Sequence, residues 1–231
     1  PEADEHEEQC RRVAEGFGTG WMSAKYDVPA IAKDRRIGVE EAGRIARYDF
    51  FKKINEEFGH TIATAHTLDD SVETMLLNLA RGTGLKGLAG IPIRRDGYIV
   101  RPLLPIRRSE TIAYCKAIGI EPLHDPSNDD NRFARVRLRE FMPAFDGLHP
   151  GAIANAGRAA NIFAEEDQFL DALAANAMLQ CEIVSDDPLQ FLTKHLEVNL
   201  DADRLRHLYP VILKRGLRLI ADALGANITF E

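Results

Sequence analysis

The fold turns on one stretch, Thr61-Ile-Ala-Thr-Ala65 followed by His66-Thr-Leu-Asp69-Asp70-Ser-Val-Glu73-Thr74. Residues 61–65 are short and apolar or β-branched, the composition of a strand. From Leu68 onward apolar residues return at Val72, Leu76 and Leu79, the three- and four-residue spacing of a helix with one apolar stripe. A strand running straight into a helix, with helical patterns on either side, predicts a parallel α/β sheet whose ligands bind at the carboxyl ends of its strands. His66 leaves the strand at that edge. Two readings of the next turn compete. Thr67, with Asp70 three residues on, makes a start like a capping box, and acids in a first turn suit the helix dipole. Asp70 and Glu73, one turn apart, also place two carboxylates on one face, a pair suited to an ammonium group or a metal ion. Spacing alone leaves both open.

Working outward, helical and extended patterns alternate to about residue 145. A polar helix is expected from Asp4 to about Gly16, an extended run at Trp21–Tyr26, and a helical region opening at Val28-Pro29. Its main part, Val39 to about Phe58, is stopped by Gly59. Residues 82–108, rich in Gly, Pro and Arg, predict a hairpin turning at Arg95-Asp96-Gly97. A helix from Ser109 to about Ile118, a short strand near Glu121–His124 and a turn at Asp125-Pro-Ser-Asn128 follow. Residues 143–150 read as a linker. Beyond them the pattern is nearly pure helix, from Gly151 to about Gln180 and again between Leu200 and Leu224, with Pro210 opening the last segment. Residues 1–145 and 146–231 are therefore expected to be two domains, an α/β domain and a smaller all-α one.

The net charge of -7 argues against a protein that coats nucleic acid through bulk positive charge. Its distribution says more. Residues 81–140 carry 12 basic and 7 acidic side chains, whereas 1–80 carry 10 and 16 and 141–231 carry 7 and 13. An arginine-rich island thus lies between acidic flanks, and a polyanion has one place to dock. No apolar run approaches the roughly 18 residues of a membrane span, and the opening residues lack the pattern of a signal peptide. A cytoplasmic protein is the expectation. Cys10, Cys115 and Cys181 are too scattered for a metal knuckle or a redox pair.

Arg44 and Arg47 stand three apart on the helix before the strand. An exposed helix face accounts for them, and so does a role facing an anion, since a guanidinium holds phosphate or carboxylate in two-pronged geometry. Gly82-Thr-Gly84-Leu-Lys-Gly87 follows a helix instead of opening one, so it reads as a helix cap and flexible connection and not as a phosphate cradle.

Taken in order, five segments resemble the tRNA(Ile)-lysidine synthetase family of the PP-loop (N-type ATP pyrophosphatase) superfamily. They are Glu40-Glu-Ala-Gly-Arg44-Ile-Ala-Arg47-Tyr48, Ala63 through Thr74, Leu79-Ala-Arg81 through Gly90, Arg101-Pro-Leu-Leu104, and Asp125-Pro-Ser-Asn128 with Arg135-Val-Arg137-Leu-Arg139. The segment Leu208-Tyr-Pro210 through Arg215 resembles the helical substrate-binding domain that follows in that family. The resemblance implies a Rossmann-like sheet of the adenine nucleotide alpha hydrolase type and a two-step reaction. ATP, carried with Mg²⁺, adenylates the wobble cytidine of a CAU-anticodon isoleucine tRNA, and the ε-amine of free lysine then displaces AMP. It further implies catalytic roles for Arg47, Asp70 and Glu73, and a lysine and ATP pocket lined by His66, Asp69 and Arg44. Arg81, Arg101, Arg132, Arg135, Arg137 and Arg139 would meet tRNA, and no resident metal is implied.

The sequence also departs from the family. Its Ser-Gly-Gly-x-Asp-Ser loop for ATP is not present, so the chain reads as a fragment, incomplete at its N-terminus and inactive by itself. Thr67 stands where many relatives have a second histidine, and Val136 where an asparagine is common. The oligomeric state is left open, a homodimer included. Alternatives are a tRNA 2-thiolation enzyme of the same superfamily, which needs clustered cysteines, a non-catalytic RNA-binding remnant, and a metal-dependent hydrolase using His66, Asp69 and Asp70.

Overall fold

The structure, a computed structural model, describes residues 2–120, 134–183 and 197–225. Two compact units divide the chain. One comprises Pro1–Ser71 and Pro92–Phe141, the other Val72–Ile91 and Met142–Glu231.

The first unit begins with helices α1 (Glu2–Gly16), α2 (Val28–Arg35) and α3 (Val39–Phe58). Their boundaries follow from local chemistry. Asp27 caps α2 by accepting the Ala30 N–H at 2.9 Å, and Pro29 sits in its first turn, where a missing N–H costs nothing. Gly59, with φ +67°, ends α3 in the left-handed conformation and returns its N–H to the Asn55 carbonyl. Ala42 and Ala46 carry the buried face of α3. The residues between α1 and α2, expected to be extended at Trp21–Tyr26, join no strand.

The sheet is small and mixed. Strand β1 (Ile62–Ala63) pairs in parallel with β3 (Ile99–Val100), in register Ile62 with Ile99 and Ala63 with Val100. Strand β2 (Arg94–Arg95) pairs antiparallel with β3, so the order is β1-β3-β2. The parallel expectation therefore holds for the inner pair only. The hairpin forms where the sequence places it, with the three turn residues 96–98 between the paired Arg95 and Ile99 and positive φ at both Asp96 and Gly97. Ile99, in the central strand, is wholly buried.

Helix α4 (Leu68–Ala80) starts in the first unit and runs on in the second. Val72 on its apolar stripe is fully buried, but Leu79 is exposed, so the buried face is shorter than the periodicity suggests. Gly82 takes a left-handed cap, as expected, yet the connection after it is not merely flexible. Leu85–Leu88 forms a single helical turn, α5, and Asn78 ties it down by donating to the Gly87 carbonyl at 3.0 Å. Helix α6 (Arg108–Ala117) matches the expected segment, and the strand and turn anticipated at 121–128 lie outside the described residues.

Helix α7 (Ala134–Gly147) corrects the linker expected at 143–150. It passes straight through Pro143, giving up one main-chain hydrogen bond and still continuing to Gly147. In the second unit, α8 (Ala152–Cys181) is a 30-residue helix against which α5 and α10 (Pro210–Ala223) pack, with α9 (Ala202–Arg206) between. Gly216 is required there. A Cβ on it would fall 2.5 Å from Met178 Cγ, inside any tolerable contact. Arg215 of α10 donates to Asp167 at 2.7 Å and Asp171 at 2.6 Å, one turn apart on α8. Among the described residues no helix is long and apolar enough to cross a membrane.

Candidate functional site

The carboxyl edge of the β1–β3 pair holds the residues that the sequence singles out. The Thr64 N–H extends the parallel ladder by donating to the Val100 carbonyl at 2.9 Å. The Thr64 hydroxyl then meets His66 Nδ1, also at 2.9 Å, which fixes one side of the imidazole. His66 is half-buried, and burial is the largest influence on its proton affinity, pushing it below the ordinary histidine value. Asp70 pulls the other way. The guanidinium groups of Arg101, Arg135 and Arg47 reinforce burial, and the balance favours neutral imidazole. Residues from α3, β1, the segment after β3 and α7 thus converge on one histidine.

Asp70 is firmly held. Its Oδ2 accepts the Thr67 N–H at 2.8 Å and the Thr67 hydroxyl at 2.7 Å, and its Oδ1 accepts Arg108 Nη2 at 2.8 Å. Arg139 Nη2 stands 3.9 Å from the same Oδ1. Burial alone would raise its carboxyl pKa, but the hydrogen bonds from Thr67 and the Arg108 charge outweigh it and leave Asp70 below the usual carboxylate range. The half of the capping box in which the Asp70 carboxylate accepts the Thr67 N–H is therefore present, with the Thr67 hydroxyl donating to that same carboxylate, and Asp70 lies within electrostatic reach of His66. Capping and a functional role do not exclude one another here.

Asp69 faces elsewhere. It accepts Arg107 Nε at 3.2 Å and the Arg108 backbone N–H at 2.7 Å, pinning the start of α6 to the start of α4. Glu73, one helical turn beyond Asp70 on the same helix, is completely buried.

The arginines divide by burial. Arg47 is exposed on α3, and so is Arg44, whose guanidinium lies 5.3 Å from the centre of the Tyr48 ring. Arg81 and Arg137 are exposed, Arg135 and Arg139 half-buried, and Arg132 lies outside the described residues. Arg101 is the correction. At 2% exposure it cannot present its charge to a surface polyanion, because its guanidinium is turned inward to the Pro92 carbonyl and the Tyr48 hydroxyl. Sequence reasoning missed the partners that hold the acids, Arg107 and Arg108, having placed both in the general basic island. The only local signal was two consecutive arginines at a helix start. Among the described residues no group of three or more His, Cys, Asp or Glu side chains is arranged to hold a metal ion.

Comparison with known proteins decides the family. The profile described as PP-loop domain matches residues 1–145, well over half of the chain. The chain belongs to the PP-loop family. Membership brings the adenine nucleotide alpha hydrolase type of α/β fold, and the matched region contains the whole arrangement around His66. PP-loop relatives include the tRNA(Ile)-lysidine synthase of Geobacillus kaustophilus, 39% identical over 161 residues that cover 68% of this chain and 35% of the relative. The tRNA(Ile)-lysidine synthase of Bacteroides thetaiotaomicron is 41% identical, covering 64% and 35%. That of Salinispora arenicola is 38% identical, covering 84% and 56%. The chain therefore spans between about a third and somewhat over half the length of these curated relatives.

Proposed function

We infer that this PP-loop chain is part of a cytoplasmic enzyme that joins lysine to the wobble cytidine of a CAU-anticodon isoleucine tRNA at the expense of ATP. The observation that carries this reading is the pairing of charges at the sheet edge. A neutral histidine is flanked by a fixed anion, Asp70, and by the cations Arg47 and Arg135. A site that must bring a cationic amine to an anionic adenylate needs both signs close together. The names of the relatives support lysidine formation over 2-thiolation or mere RNA binding, and the scattered cysteines are consistent with that choice.

The chemistry divides into two displacements. In the first, the cytidine C2 oxygen attacks the α-phosphorus of ATP, which enters with Mg²⁺, and pyrophosphate leaves. In the second, the lysine ammonium loses a proton to solvent, its ε-nitrogen attacks C2, the C2–oxygen bond breaks, AMP leaves with its electron pair, and the nitrogen now bonded to C2 gives a second proton to solvent. Asp70, held ionised by Thr67 and Arg108, is suited to gripping the lysine ammonium and poorly suited to accepting a proton. Glu73 is the second carboxylate on α4, acting where water is excluded. Arg47 opposes the charge that grows on the phosphoryl oxygens. His66, uncharged, lines the pocket as a hydrogen-bonding wall, and Arg44 and Asp69 complete that pocket by placing α3 and α6. Residues 1–145 are the catalytic part, and 146–231 bind tRNA together with Arg81, Arg135, Arg137 and Arg139.

The test is Asp70→Ala in a protein carrying the Ser-Gly-Gly-x-Asp-Ser segment, which these 231 residues do not contain. Lysine incorporation should vanish while far-ultraviolet circular dichroism shows the fold retained. Incorporation at the wild-type rate would refute the assignment.

A further inference from the structure

Arg101 stands apart from every other described arginine of the basic island. It is 2% exposed, and among the described residues it pairs with no carboxylate. Its charge is met by neutral acceptors alone. Nη2 donates to the Tyr48 hydroxyl at 3.1 Å and Nη1 to the Pro92 carbonyl, while Nε is buried with no hydrogen-bond partner. Its backbone N–H donates to the Ile93 carbonyl at 3.0 Å. Burying a guanidinium without a counter-charge is costly, and such a group is retained where its charge or its grip is used.

The grip can be followed bond by bond. Arg101 directly follows β3, and the carbonyl of the preceding residue, Val100, accepts the Thr64 N–H. Thr64 holds His66. In the opposite direction, Arg101 holds Tyr48 of α3, 53 residues away in sequence. Arg44, on the same helix, and Arg95, from the hairpin, lie against the Tyr48 ring at 5.3 and 4.3 Å from its centre. The Arg101 and Tyr48 side chains together join α3 to the hairpin and the end of β3, and the Val100 carbonyl carries the connection on to Thr64 and the histidine edge. Arg47, which precedes Tyr48, travels with that helix.

We propose that Arg101 is a positioning residue, an internal clamp that sets α3 and its arginines against the carboxyl edge of the sheet through Tyr48, and not a phosphate contact. Its catalytic consequence rests on the lysine-transfer reading above, whereas the clamp itself does not. Its charge also helps keep His66 neutral, alongside Arg47 and Arg135 and against Asp70.

Two kinds of measurement separate these layers. On the 231-residue chain, hydrogen exchange across α3 and the titration of His66 followed by NMR are compared for wild type, Arg101→Met, Arg101→Lys and Tyr48→Phe. Exchange in α3 should quicken in Arg101→Met and Tyr48→Phe. The His66 midpoint should rise toward the ordinary value in Arg101→Met and stay low in Arg101→Lys, which keeps the charge. Unchanged α3 exchange in both Arg101→Met and Tyr48→Phe would overturn the clamp. Should Arg101→Met fail to fold, Tyr48→Phe, which loses one hydroxyl, decides the question. In a protein with lysine-transfer activity, kcat should fall roughly 10- to 100-fold in Tyr48→Phe, the scale of a small misplacement of reacting groups. The KM for tRNA and its salt dependence should not move in Arg101→Lys or Tyr48→Phe. A salt slope lowered by about one in Arg101→Met with kcat intact would make Arg101 a phosphate contact and overturn the proposal. Absence of lysine transfer in wild type would refute the functional reading and leave the exchange and titration results to judge the clamp.

Discussion

The start of α4 and the segment around Arg101 both follow the carboxyl ends of the same parallel strand pair, yet they are built on opposite principles. Around Thr67 and Asp70 the key contacts span three residues, so the sequence nearly writes them out. Around Arg101 the contact to Tyr48 spans 53 residues, and composition alone makes Arg101 look like one more surface cation. Helix geometry enforces the first. The second depends on the residue after β3 reaching α3, and no local pattern reports that.

Perturbing both regions sharpens the contrast. After the complete loss expected of Asp70→Ala, the largest effect should come from Arg47→Ala, which removes a cation near His66 without touching either network. Lysidine formation should drop about 100-fold, the usual consequence of losing one charge-stabilising donor, and single-turnover kinetics would check it. Asp69→Ala should come next in stability. It leaves Arg107 and the Arg108 N–H without their acceptor across 38 residues of sequence, at a cost of about 2–3 kcal/mol in urea denaturation. Thr67→Ala breaks only a local cap and should cost about 1 kcal/mol, with Thr67→Ser close to wild type. If Thr67→Ala proved costlier than Asp69→Ala, the local and long-range networks would have been ranked in the wrong order. The smallest effect belongs to Arg137→Ala. Its side chain is exposed, so stability should not change, and the salt slope of tRNA binding should fall by about one.

These expectations also show what the sequence could tell. Helix boundaries with a chemical marker were legible: Gly59 closing α3, Pro210 opening α10, and Asp96-Gly97 turning the hairpin. So was the convergence of His66 with Asp70, because the strand and helix that carry them are contiguous. The course of α7 through Pro143 was not, since a proline marks a break unless the helix around it is held by its surroundings. Nor were the burial of Glu73 and Arg101 legible, because a charged side chain announces nothing of its partners. The arginine island mixed three kinds of residue that composition cannot separate. Arg107 and Arg108 pair with the acids of α4, Arg101 clamps the interior, and Arg137 faces solvent.

The central claim is that the charges gathered around His66 serve lysine transfer to RNA. It is tested most directly by incubating the full-length protein with labelled lysine, ATP and a CAU-anticodon isoleucine tRNA, and measuring label in the tRNA. Incorporation that requires ATP and releases AMP and pyrophosphate in equal amount to the lysine joined is the predicted result. Protein that binds this tRNA and carries the Ser-Gly-Gly-x-Asp-Ser segment, yet transfers no lysine under those conditions, would contradict it.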